Sequence, residues 1–295
     1  MSDYRVTQRM MVQRSLEAMN AGASRLARTQ EQLSTGRVIN RPSDSPTGTN
    51  TAMMLRARTA DQSQYARNAE DGLGWLGRID STLMSASASV RKVRDLALQG
   101  ASTGSSSPQS REALAIEVTQ IREALLGLAN TTHLGRPLFG GTTAGPAAYD
   151  ENGGYVGDTG TVRRTVADGV RVRVDVTGPE VFGSGDDALF TVLDDVAAHL
   201  RSDPTALAGD LDQLDGALSR LRSELADIGT RYGRVEAAAQ TAKDTKLELQ
   251  TSLSGVENVD LAQAIVDLQM QEIAYQGALA ATARVLQPSL IDFLR

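Results

Sequence analysis

Apolar residues recur at alternating steps of three and four in four separate stretches of the chain, the spacing of a helix that buries one seam against a neighbour. The first runs Val12, Leu16, Met19, Ala23, Leu26, Gln30, Leu33, with polar residues on the remaining faces. The second holds the spacing from Tyr65 through Leu76, Leu83 and Val90 to Ala97, until Gly100 and a Ser/Gly cluster end it. A shorter third comprises Leu114, Val118, Ile121, Leu125 and Leu128. The fourth, from Leu211 to Leu253, spells a helix of roughly 60 Å, about twice the width of a small domain. Such a helix needs helical partners along its length, and the second and third stretches supply them.

A last periodic stretch begins with Leu261, Ile265 and Leu268, skips Glu272 and resumes with Tyr275, Leu279 and Leu286 before Pro288. Val266, Met270 and Ile273 widen its apolar side, so it has more surface to cover than one neighbouring helix can take. Beyond Pro288, Leu290, Phe293 and Leu294 put an apolar face on the chain end. Between 137 and 193 the texture changes to Gly-rich punctuation. Val162 to Val166 and the alternation Val170, Val172, Val174, Val176, around Ala167-Asp168-Gly169, predict a hairpin of period-2 strands. Arg163, Arg164, Arg171 and Arg173 are expected on its other, solvated face. Ser45-Pro46 and Asp203-Pro204 each set a capping side chain before a Pro at a helix start.

The expected fold is therefore mainly α: elongated coiled-coil-like helical rods formed by the N- and C-terminal halves, with a small β-rich insert in the middle. Residues 1–40 and 255–295 form a terminal helical assembly region, disordered in the monomer because short isolated helices are marginal in water. Residues 41–136 and 194–254 form a helical rod domain, and 137–193 a small β domain.

Composition narrows the chemistry. With 295 residues, no Cys and two His, the chain offers no disulfide framework, thiol nucleophile or multi-histidine cage. Aromatics are 4%, so the core is expected to be aliphatic, and a net charge of −6 gives no footprint for nucleic acid or an anionic membrane. Residues 1–10 are polar and carry charge, with no signal-peptide pattern, and no run reaches the roughly 20 apolar residues of a membrane span. Export, if it occurs, is expected to use another route.

No nucleophile elbow, phosphate-binding loop, zinc helix or dinucleotide fingerprint occurs, and no catalytic, cofactor or metal residue is assigned. Asp210, Asp212 and Asp215 lack calcium-loop spacing and read as acids favoured near a helix N-terminus. His133 and His199 read as surface or capping residues, and Trp75 as a packed flank of the seam. Asn130-Thr131-Thr132 spells a glycosylation sequon, a pattern short enough to arise by chance. The assembly interface is expected on Leu16, Met19, Leu26 and Leu33 at one end and Leu261, Ile265, Leu268, Tyr275, Leu279, Leu286, Leu290, Phe293 and Leu294 at the other.

Two blocks resemble the flagellin superfamily. At the N-terminus these are Leu26, Leu33 and Ser34-Thr35-Gly36-Arg37-Val38-Ile39-Asn40-Arg41-Pro42-Ser43-Asp44-Ser45-Pro46, followed by Gln64-Tyr65 and Asn68. At the C-terminus they are Asp260-Leu261-Ala262, Ile265, Leu268, Tyr275-Gln276, Ala278-Leu279, Ala283, Leu290 and Phe293-Leu294. The loop Arg41, Pro42, Ser43, Asp44, Pro46 and the ending Ser289 to Leu294 are similar to the junction-type members more than to filament flagellin. So are Leu138-Phe139-Gly140-Gly141, Tyr155-x-Gly157-Asp158 and Gly178-x2-Val181-Phe182-Gly183. At Ser45 the superfamily usually has a second Asp. The resemblance implies a non-enzymatic, extracellular flagellar part that joins hook to filament, exported unfolded through the flagellar type III apparatus. Its implied partners are further copies of itself in a ring, a neighbouring hook-associated protein on the hook side, flagellin on the filament side, and a cytosolic export chaperone at the C-terminal helix. Filament flagellin and a cytosolic coiled-coil scaffold are the alternatives.

Overall fold

The computed structural model describes residues 2–102 and 107–286, with backbone alone given for 2–9, 11, 12 and 284–286. In chain order the elements are α1 (Ser2–Thr35), α2 (Pro46–Ala101), α3 (Pro108–Ala129), β1 (Thr132–His133), β2 (Arg136–Pro137), β3 (Arg163–Ala167), β4 (Val170–Arg173), α4 (Gly178–Phe182), α5 (Leu189–Ser202), α6 (Leu207–Glu257) and α7 (Leu261–Leu286). The strands form two antiparallel pairs, β1–β2 and β3–β4, so the fold is mainly α as the periodicity predicts. Two compact units divide the chain: residues 1–60 with 247–295, and residues 61–246.

The second unit has a complete core. Leu76, Ile79, Leu83, Val90 and Val93 of α2 are fully buried, as are Val118 and Leu125 of α3 and Leu214, Leu221, Ile228 and Val235 of α6. These are the seam positions of the second, third and fourth stretches. Each fully buried Leu, Ile or Val contributes about 1.5–3 kcal/mol from the apolar surface it removes from water. Ion pairs at the rim record the direction of packing. Arg94 meets Asp215 at 2.6 Å and Lys243 meets Glu70 at 3.0 Å, so α6 runs antiparallel to α2. Lys92 meets Glu117 at 2.5 Å across α2 and α3. Trp75 is buried edge-on to the His133 ring, with centroids 5.1 Å apart, which makes it the packed flank residue expected.

Sequence reading missed α5. Phe190, Leu193, Val196, Ala197 and Leu200 lie on one face at helical spacing and are buried against the core, antiparallel to α3 through Arg201–Glu112 at 3.1 Å and Arg122–Asp194 at 2.7 Å. The Gly- and Asp-rich turn Gly183–Asp187 just before it extends the texture of the insert and masks the change of period. The start of α6 also differs from the expectation. Asp203 accepts hydrogen bonds from the Thr205 N–H at 3.1 Å and hydroxyl at 2.5 Å, making a turn, and the helix begins only at Leu207. Ser45 does cap α2, its hydroxyl accepting from the Gly48 N–H at 3.1 Å with Pro46 in the first helical position.

The hairpin around Asp168-Gly169 is present, and of its alternating valines Val172, Val174 and Val176 are buried in the core of the second unit while Val170, beside the turn, is exposed. Its arginines are not a uniformly solvated face. Register pairs Arg164 with Val172, on the apolar side, where its guanidinium reaches Asp71 of α2 at 2.6 Å. Arg173 bonds Asp175 at 3.0 Å and Glu180 at 2.8 Å, and this pairing pulls the Glu180 carboxyl down to about 2. Only Arg163 and Arg171 face solvent. Nor is the core purely aliphatic. Three of the four Phe residues, Phe139, Phe182 and Phe190, gather with Tyr149 at centroid separations of 5.2–5.8 Å. Edge-to-face stacking of this kind concentrates a scarce residue type at one point.

Asn130, which ends α3, is consumed by the fold. Its carbonyl oxygen accepts from the Ala148 and Tyr149 N–H groups at 2.9 and 2.8 Å, and its amide donates to the Tyr149 carbonyl at 3.0 Å. A side chain spent on three backbone bonds is not presented to a glycosylating enzyme in the folded state. Between β1 and β2, Leu134 (φ +50°) and Gly135 (φ +78°) make the two-residue turn of a tight hairpin. Such turns favour Asn-Gly, and a leucine held at positive φ is a local strain of about 1 kcal/mol.

The two units should differ sharply in sensitivity. Leu83→Ala in the closed core is expected to destabilise the second unit by about 3 kcal/mol in urea denaturation. Leu268→Ala in the half-buried α7 seam should shift that same transition by under about 0.5 kcal/mol.

Candidate assembly interface

In the first unit α1 and α7 pack against each other in antiparallel sense. The Thr29 hydroxyl donates to the Gln271 side-chain carbonyl at 3.2 Å, and the Tyr275 ring lies against the bare backbone of Gly22. Ala18, Met19, Gly22, Met270, Ala274, Tyr275 and Ala278 line a cavity of about 330 Å³ between the helices. Small residues let the two backbones approach, but they bury little. Among the described side chains of α1 and α7 only Thr29, Ala264 and Thr282 are buried.

The chain leaves α1 through Gly36, whose φ of +70° suits a glycine after a helix end. Its carbonyl accepts from the Val259 N–H at 3.0 Å, while the Val38 N–H donates to the Glu257 carbonyl at 2.7 Å. Arg37 and Asn258 form an isolated antiparallel bridge there. Arg56 of α2 meets the buried Glu257 carboxylate at 2.7 Å. The loop Arg41, Pro42, Ser43, Asp44, Pro46 follows. Asp44 accepts from the Arg41 and Asn40 N–H groups at 2.8 and 3.1 Å, and these bonds hold its carboxyl below the usual range. Arg41 meets Glu31 at 3.0 Å, while Pro42, Ser43 and Pro46 are exposed. This loop therefore spends its polar groups on its own turn and on the α1 end.

The expected interface residues divide into three sets. Met19, Leu26, Leu33, Leu268 and Tyr275 are half-buried, while Leu16, Leu261, Ile265 and Leu279 are exposed. The Leu286 side chain, with Leu290, Phe293 and Leu294, lies outside the described residues. Around them Val266, Met270 and Ile273 are bare, the last at 71% exposure. Met53 and Met54 of α2 and Leu247 of α6 add exposed apolar surface to this unit, and the periodic pattern does not single them out. Their signal is compositional: a Met pair beside the buried Ala52 and Leu55 on a helix that starts well before Tyr65. Exposed apolar residues gathered along one helix face, as on α7, are the kind of surface that interaction sites present.

Titratable chemistry lies elsewhere. Asp210, in the first turn of α6, is buried and sits 2.8 Å from Nδ1 of His199, which is one-third exposed. His199 is thus neither a free surface residue nor a cap. Asp215 pairs with Arg94, and Asp212 is exposed. Among the described residues no group of three or more His, Asp or Glu is placed to hold a metal ion. No described helix is long and apolar enough to cross a membrane.

Comparison with known proteins supplies the class. The bacterial flagellin N-terminal helical region matches residues 6–144, and the flagellin C-terminal helical region matches residues 211–294. The chain belongs to the bacterial flagellin family. It is 26% identical to flagellar hook-associated protein 3 of Escherichia coli (strain K12) over 303 residues, covering 94% of this chain and 95% of that one. It is 22% identical to the flagellin of Bacillus subtilis (strain 168) over 299 residues, covering 96% of each. Among solved structures it is similar to the flagellar junction protein FlgL from Legionella pneumophila, with a TM-score of 0.58 and 16% identity over 71% of this chain and 100% of that one. The junction-type relatives thus align more strongly than the filament type.

The Asp210 carboxylate raises the His199 pKa above its ordinary 6.5, helped by Asp195 and Asp203 nearby. A raised folded value makes the pair's contribution full below about pH 6.5 and lost as the pH climbs through the raised value. The wild-type second unit should therefore lose more stability between pH 6 and pH 9 than His199→Asn does, as read by urea midpoints at both pH values.

Proposed function

We propose that this chain is the structural adaptor that joins the hook to the filament of the bacterial flagellum, outside the cell. The observation that carries the reading is the contrast between the two units. The second closes its own core, while the terminal helices α1 and α7 hold almost no buried side chain and leave Met270, Ile273 and Leu261 exposed. Helices so poorly covered gain their partners from other subunits. In the free chain they are marginal, and they order when copies meet in a ring.

In this reading the terminal helices of adjacent copies, including Leu16, Leu26, Leu268 and Leu279, pack as a core around the export channel. The hook-associated neighbour meets one side of the ring and flagellin the other. The same apolar stripe on α7 is what a cytosolic chaperone covers before the chain is exported through the flagellar type III apparatus. Relatives that are structural parts of the flagellum support an architectural rather than enzymatic role.

Electron microscopy of a strain lacking the gene, with a blot of the medium for flagellin, tests the reading. Bare hooks with flagellin shed into the medium are expected, since export continues but the filament has no seat. Persisting filaments would remove the junction reading in favour of a minor flagellin or an unrelated scaffold.

A charge on the exposed stripe separates assembly from folding. Ile273→Asp touches no core, so the urea midpoint of the second unit should be unchanged, whereas burying an unpaired carboxylate at a subunit contact costs several kcal/mol. The variant is expected to be missing from sheared flagella, and its normal incorporation would sink the interface assignment.

A further inference from the structure

The β1–β2 turn carries a feature that the fold itself does not need. Leu134 is 79% exposed and sits at φ +50°, so an apolar side chain is displayed to water from a backbone position that favours Asn or Gly. Side-chain exposure and backbone strain both disfavour leucine there, and strained positions of this kind concentrate at contact sites. Elsewhere in the same unit, Ala113, Ile116, Ile121 and Ala124 of α3, with Lys92 of α2 at the edge, line a shallow groove of about 360 Å³. Ile116 in it is 48% exposed.

We propose that Leu134 of one copy seats in the α2/α3 groove of the next copy, a head-to-tail contact between the second units that rests on the ring reading above. A knob and a groove at different places on one chain make a heterologous contact, the kind that propagates around a ring and does not stop at a pair. Along α3 the groove is centred about 16 Å from the helix end where the hairpin begins, and along α2 Lys92 lies about 25 Å from Trp75, against which His133 of the hairpin packs, so one chain cannot fill its own groove. Charge agrees with the pairing. Arg136, which donates one guanidinium N–H to the Thr142 carbonyl at 3.3 Å and lies near Asp158, flanks the leucine and keeps its remaining face exposed, while the outer face of α3 presents Glu117 at the groove and Glu123 beside it. Glu117 is shared with Lys92, so Glu123 is the freer acid for the incoming arginine.

The absence of cysteine from the chain makes the test direct. Flagella are sheared from cells carrying Leu134→Cys with Ile116→Cys, and from each single variant, then oxidised and run without reductant. The double variant is expected to give a ladder of dimers, trimers and higher species, and the single variants monomer alone. Dimers from Leu134→Cys by itself would mean tip-to-tip contact and overturn the proposal. So would monomer alone from the double variant while the protein is present in the flagella. If the protein is missing from the flagella of the unmodified strain, the ring reading fails and this contact falls with it. Leu134→Asn adds a readout of opposite sign. Relief of the turn should raise the thermal midpoint of the purified chain by about 2 °C, while incorporation into flagella falls at least tenfold. Unchanged incorporation would overturn the proposal.

Discussion

The structure depends on where apolar surface is closed and where it is left open. In residues 61–246 the seams of α2, α3, α5 and α6 meet, and every large seam residue between Leu76 and Val93 loses all contact with water. Along α1 and α7 the same 3-4 spacing produces helices but no closed core, since among the described side chains Leu26, Leu33, Leu268 and Tyr275 are only half covered and Thr29, Ala264 and Thr282 alone are buried. A pattern is a capacity to bury, and a second helix of matching breadth is needed to use it. The adaptor role proposed here rests on that mismatch: one unit is finished by its own chain, and the other leaves apolar surface open.

Helix positions were legible because their cause is local. The series in 65–97, 114–128 and 211–253 fell within α2, α3 and α6, and Ser45-Pro46 marked a true helix start. What was not legible depended on contacts distant in sequence. Arg164 alternates like a surface residue, yet Asp71, 93 positions earlier, makes it a bridge between the hairpin and α2. Asp210 resembles a helix-start acid until His199 is seen against it. Phe139, Phe182 and Phe190 are too far apart in sequence for a composition count to reveal one cluster.

The exposed apolar stripe of α7 was legible as a face but not residue by residue. Periodicity named Leu268 and Tyr275, which the helix pair half covers, alongside Leu261 and Leu279, which it leaves open. The most exposed members, Met270 and Ile273, were visible only as a broadening of the stripe. Two motif residues hold the fold itself: Asp44 closes its own loop, and Asn68 donates to the Thr165 carbonyl at 2.8 Å, tying α2 to β3. At these two positions the resemblance to the family reports shared architecture.

The antiparallel pairing of α2 with α6 also sets a clock. Glu70 waits for Lys243 and Arg94 for Asp215, so the two walls of the core stand more than a hundred residues apart along the chain. A polypeptide synthesised N-terminus first presents the Leu76 to Val93 stripe with only α3 and α5 to cover it until α6 residues up to about Val235 follow. Closing a loop of that size adds only slowly to the entropic cost, but it postpones the cooperative step. Closure of the core is thereby tied to completion of nearly the whole chain, and the half-made molecule is the species with the most reason to stick to its neighbours.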